Sequence, residues 1–121
     1  MSDHVTASAL VGQTFRVVQI GGTPVLDVPT AELTFGDDGR VSGRATINRV
    51  SGPYEVDGDQ VRFGALVTTM MAGLPEAMDQ EQRLLEALGA PLTVVATHEG
   101  HITLMSEGRP SLVLDYADLE D

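Results

Sequence analysis

Residues 15–20, Phe-Arg-Val-Val-Gln-Ile, alternate apolar with polar side chains well enough to predict a half-buried strand, and Gly21-Gly22 ends it. Residues 23–29 contain Pro24 and Pro29 and read as an extended loop over one end of a sheet. Further on, Leu33 and Phe35 share a face, and Asp37-Asp38-Gly39 turns the chain. The return, residues 40–45, sets Val41, Gly43 and Ala45 on one side and Arg40, Ser42 and Arg44 on the other. An Asp-Gly pair supplies the positive φ that tight hairpin turns need, so Gly39 and Gly58 predict two β-hairpins. The second pairs residues 54–56 with 60–63; Asn48 and Arg49 are strung between the hairpins, and Ser51-Gly52-Pro53 looks like a bend.

One helix is predicted next. Pro75 opens it, Glu76 and Asp79 lie near its positive end, and Gly89 and Pro91 stop it. Leu74, Ala77, Met78, Leu84, Leu85 and Leu88 recur at helical spacing and form a stripe that lies on the sheet, with Glu81 inside it. The bland reading of Glu81, a carboxylate that snorkels to an edge or accepts backbone hydrogen bonds, outweighs a catalytic one. Three short strands follow, at 92–97, 101–105 and 111–114, separated by Glu99-Gly100 and Glu107-Gly108. The pattern is mainly β (α+β): an antiparallel meandering sheet with one helix packed across it. Residues 1–11 are read as a loose N-terminus, 12–114 as the domain body and 115–121 as an acidic, frayed tail.

Composition narrows the chemistry. The 121 residues amount to one domain, and without cysteine there is no disulfide, thiolate metal site or cysteine nucleophile. Eighteen acidic residues face seven basic ones, all arginine, for a formal charge of −11. That sign repels phosphate backbones and anionic headgroups, so neither nucleic acid nor membrane is an expected partner. The missing lysine removes Schiff-base chemistry. The N-terminus lacks the basic and apolar regions of a secretory signal, and no apolar run approaches the roughly 20 residues of a membrane span. A soluble, cytoplasmic protein is expected.

No constellation of catalytic residues stands out. His98 and His101 flank a turn and could face one another, but two imidazoles without a third ligand make a poor metal site. Asp37-Asp38 and Asp57/Asp59 lack the ligand spacing of a calcium loop. No Gly-x-Ser-x-Gly elbow and no phosphate-cradling glycine run are present. Met70, Met71 and Met78 read as core filling. No catalytic residue, metal or cofactor is therefore assigned.

In order along the chain, Gly12 to Phe15, Gly21-Gly22-Thr23-Pro24-Val25, the hairpin from Leu33 to Gly43, Thr46-Ile47-Asn48-Arg49-Val50-Ser51-Gly52-Pro53-Tyr54 and Thr69-Met70-Met71-Ala72-Gly73-Leu74-Pro75 resemble the META domain (HslJ-like) family. In the family pattern the central block is Gly-Cys-Asn-Arg-Phe/Tyr-Ser-Gly-x-Tyr, and the last is Thr-x-Met-Ala-Cys-Pro, one residue shorter than here. Both cysteines are missing, with Ile47 and Gly73 at the matching places, and Met70 stands where an arginine is usual. If the two cysteines pair or lie close in exported relatives, this version suits a reducing compartment. The resemblance implies a barrel-like antiparallel structure and a stress-associated, non-enzymatic role.

The leading expectation is a non-catalytic protein that binds an unidentified protein partner; the oligomeric state is not legible. A small-molecule carrier using a barrel-like pocket lined by five aromatics, or a small protease inhibitor presenting residues 23–29, are the alternatives. Asn48 and Arg49 are the site candidates. Their structural reading is a turn held by the Asn amide and an Arg paired with an acidic neighbour.

Overall fold

Turn chemistry sets two hairpins of the computed structural model, which describes residues 7–25, 31–96 and 101–116. After a 3-10 turn, Ala7–Leu10, come β1 (Thr14–Ile20), β2 (Thr23–Pro24), β3 (Glu32–Phe35), β4 (Arg40–Arg44), β5 (Arg49–Asp57), β6 (Gln60–Phe63) and β7 (Val67–Thr68). The helix α1 (Pro75–Ala87) precedes β8 (Leu92–Ala96), β9 (Ile102–Ser106) and β10 (Arg109–Tyr116). Gly39 and Gly58 take φ of +82° and +63°, in the left-handed region that the two Asp-Gly turns require. They fix β3 on β4 from Phe35↔Val41 to Glu32↔Arg44, and β5 on β6 from Asp57↔Gln60 to Tyr54↔Phe63.

The sheet closes on itself. β1, β3, β4, β5, β6, β8, β9 and β10 follow one another around an eight-stranded antiparallel barrel, and β10 returns to β1 through Val17↔Leu114 and Ile20↔Leu112. The strands that hold Ile20 and Leu114 are each other's partners, which removes their edges as sites for chain-to-chain pairing. A bulge between Val17 and Gln19 shifts the alternation of β1 by one, so Phe15, Val17 and Ile20 all face inward.

Three expectations are corrected. Ser51-Gly52-Pro53 is no bend; β5 runs through it. A Cβ on Gly52 would lie 2.7 Å from the Ala65 carbonyl, so glycine admits the next segment, and Pro53 closes the β4 ladder opposite Arg40, where a strand tolerates a missing N–H. Leu74 is 68% exposed at the helix N-cap, outside the apolar stripe. The inner face of α1 is instead Ala77, Gln80, Glu81 and Leu84, with Leu88 just beyond. Met70 and Met71 lie on the surface and fill no core. Residues 7–10 and 115–116 belong with the domain body: Ala7 and Leu10 are fully buried, and Asp115 and Tyr116 pair with Arg16 and Phe15.

An aromatic cluster occupies one part of the core. Phe35 packs against Phe15, Tyr54 and Phe63 with ring centroids 6.0, 5.2 and 6.1 Å away, and Phe15 touches Tyr116 at 4.9 Å. The five aromatics that a carrier needs as a pocket lining thus pack on one another. α1 lies against β1 and β10, and Leu84 and Leu88 join the same core.

Candidate functional site

The loop between β4 and β5, residues 45–48, turns its amides inward, and buried N–H groups require acceptors. Glu81 provides them from the inner face of α1. Its Oε1 accepts from the Ile47 and Asn48 amides at 2.8 and 2.7 Å, and its Oε2 from Asn48 Nδ2 at 2.7 Å. Immediately before Glu81 in α1, Gln80 Nε2 donates to Thr46 Oγ1 at 3.0 Å. Thr46 is fully buried at φ +123°, a region unusual for a β-branched residue, and is held there by this bond and its flanking loop. Of the two bland readings of Glu81, an edge snorkel or a backbone acceptor, the structure shows the second.

Asn48 faces the other way as well. Its Oδ1 accepts from the Met71 amide at 2.6 Å and from Thr69 Oγ1 at 2.8 Å, while Nδ2 also donates to the Met71 carbonyl at 3.0 Å. Thr69 Oγ1 in turn accepts from the Arg49 amide, and the Thr69 amide donates to the Arg49 carbonyl. A single side chain, 3% exposed, therefore clamps the backbone of a segment that runs from β7 to α1. That segment is apolar and outward: Val67 is 68% exposed and Met70 91%, and Met71 and Leu74 are exposed as well.

The sequence candidates thus divide. Asn48 is a buried lock, and Arg49, one residue on, is exposed on the outer face of β5. Arg49 lines an open groove of about 750 Å³ with Arg44, Ser42, Ser51, Thr68 and Glu32. Arg44 stands directly opposite Arg49 in the β4–β5 register. Sequence reasoning placed Arg44 merely on a polar face; its equal distance from the loop with Arg49 was the signal that the two would meet. Thr69 and Met71 carried no such signal, because their partner lies more than a dozen residues away.

The other candidates fall elsewhere. His101 Nδ1 lies 3.1 Å from Asp115 Oδ1, while His98, and with it the suggested metal pair, lies outside the described residues. The same holds for most of the loop expected at residues 23–29. Among the described residues no helix is long and apolar enough to cross a membrane. Burial, reinforced by Asp38 and Asp37, raises the Tyr54 phenol above its ordinary value of 10.0, and its hydroxyl donates to the Gly36 carbonyl at 2.7 Å.

Among known proteins, the chain resembles a structure determined by NMR, with 27% identity over 97% of this chain and 99% of that one and a TM-score of 0.75. A protein from Burkholderia xenovorans, also solved by NMR, shares the fold at 20% identity, covering 97% of this chain and 91% of its own, with a TM-score of 0.75. No curated protein matches. The model of the META domain matches residues 8–118, nearly the whole chain and every element of the barrel described above. The chain belongs to the META domain family.

Proposed function

We propose that this META-domain chain is a non-catalytic, stress-associated protein that acts by binding a protein partner through residues 67–74. The observation behind it is the clamp: Asn48 holds both the N–H and the C=O of Met71 while the side chains of Val67, Met70, Met71 and Leu74 face outward. Exposed apolar side chains on a segment fixed in advance lose little entropy when a partner covers them, which favours recognition. A mobile strand end would not do so. The stress association and a cytoplasmic site of action rest on the resemblance to HslJ-like members and on the cysteine-free composition.

Glutamate at Met70 or Leu74 tests the reading, because both side chains are exposed and the fold should tolerate the change. A partner captured by the native chain and reconstituted from pure components is expected to bind the Met70→Glu and Leu74→Glu variants roughly tenfold more weakly. Equal affinity for the native chain and both variants would overturn the reading.

A further inference from the structure

We infer that the groove beside this segment takes an extended acidic stretch of the partner protein, its carboxylates held by Arg44 and Arg49. Two guanidinium groups directly across from one another repel and cost stability in a sheet. Three of the other five arginines reach a carboxylate, Arg16 at Asp115, Arg62 at Glu55 and Arg83 at Asp79. Among the described residues neither Arg44 nor Arg49 has a carboxylate in ion-pair range. Glu32, across from Arg44 on β3, marks one wall of the groove, and Val67, Thr68 and Thr69 form the other.

The lining determines what fits. Arg44 and Arg49 each offer a fork of donors that matches a carboxylate, and the hydroxyls of Ser42, Ser51 and Thr68 add further donors between and beside them. Exposed Val67 at the rim and Met70 beyond it are suited to an apolar residue next to the acidic ones. A polyanion is a poorer occupant, because a chain of net charge −11 repels nucleic acid and anionic bilayers as a whole, while a short segment with a few carboxylates meets only the local positive field. The inference rests on the docking role proposed for residues 67–74, and names the chemistry of what docks there.

The test is a fluorescence-anisotropy titration of the full chain with short labelled peptides. One alternates Asp and Glu with Leu and Val, a second replaces each acid by its amide, and a DNA duplex and inorganic phosphate serve as competitors. The acidic peptide is expected to bind and the amide peptide not. Arg44→Gln and Arg49→Gln are each expected to weaken binding by roughly tenfold, and added salt to weaken it further. Equal binding of the amide peptide, equal binding by both arginine variants, or displacement by DNA or phosphate would overturn the inference. So would self-association of the native chain that the arginine variants abolish, since the face would then serve a second copy. The Met70→Glu variant separates the two proposals. If it weakens a partner that ignores the arginines, the docking segment stands and the acidic groove falls. If the arginines alone matter, the groove stands and the apolar segment falls.

Discussion

Asn48 and Glu81 meet side chain to side chain at 2.7 Å on the inner side of the β4–β5 loop, and the donor and acceptor ends of the Asn amide are both committed. The amide cannot turn over, because its oxygen holds Thr69 and Met71 while its nitrogen holds Glu81. The contact joins α1, the loop and the exposed segment into one unit.

Glu81→Gln is nearly isosteric and should nevertheless destabilise the protein. Its new NH2 must face either the Ile47 and Asn48 amides or Asn48 Nδ2, all of them donors. A loss of roughly 1–3 kcal/mol is expected, the cost of a buried donor left unpaired, read as a lower denaturation midpoint with an unchanged m-value.

Ile47 fills the space left by Gly73. A Cβ built on Gly73 would lie 2.7 Å from Ile47 Cδ1 and 2.8 Å from Cγ1, with Cγ2 at 3.6 Å. The Ile47 Cβ is bonded to Cγ1 and is farther than Cγ2, which puts the two Cβ positions inside the roughly 3.5–4.5 Å window of a disulfide. Cysteine at both positions, Ile47→Cys with Gly73→Cys, should therefore form a disulfide on oxidation and raise Tm, checked by thiol titration and by loss of the effect with reductant. The single Gly73→Cys variant should lower Tm by crowding Ile47.

At Gly43 the backbones of β3 and β4 approach so closely that a Cβ would collide with the Glu32 carbonyl oxygen. Backbone cannot step aside as a side chain end can. Gly43→Ala is expected to cost roughly 3 kcal/mol or more, among the larger effects of single substitutions, with the midpoint of chemical denaturation as the measurement.

Because burial first, then Asp38 and Asp37, hold the Tyr54 phenol above 10.0, the folded state keeps this proton longer than the unfolded chain does. The stabilising contribution is complete below the unfolded value and is lost as pH rises past it and through the folded one. Stability should therefore decline above about pH 10, and Tyr54→Phe should remove part of that decline while costing the bond to the Gly36 carbonyl. Denaturation midpoints of both proteins across the alkaline range would show it.

The hairpins at Gly39 and Gly58 and the extent of α1 were legible because turn residues and helix ends act locally. Barrel closure was legible only through the family resemblance, since the match of Ile20 with Leu112 depends on chain ends far apart in sequence and on a bulge at Val17 that leaves no local mark. Gly52 and Pro53 misled for a related reason: their turn-forming habit is overridden by the close approach of Ala65 and by their place at the end of a ladder. Asn48 and Arg49 stood out as a pair, yet Asn48 closes the β4–β5 loop on the buried side while Arg49 opens β5 on the exposed one, one to lock and one to display. Thr46 occupies a positive-φ position where the family pattern has glycine, so its strain is visible only with the backbone in hand.

Amide hydrogen exchange at Met71 measures the lock most directly. In the native chain the Met71 N–H donates to Asn48 Oδ1 and should be protected. With Asn48→Ala, the exchange of Met71 is expected to rise toward that of an open loop while the amides of β3 and β4 stay protected. Unchanged protection at Met71, or an equal loss of protection throughout the barrel, would contradict the claim that Asn48 holds this segment in place.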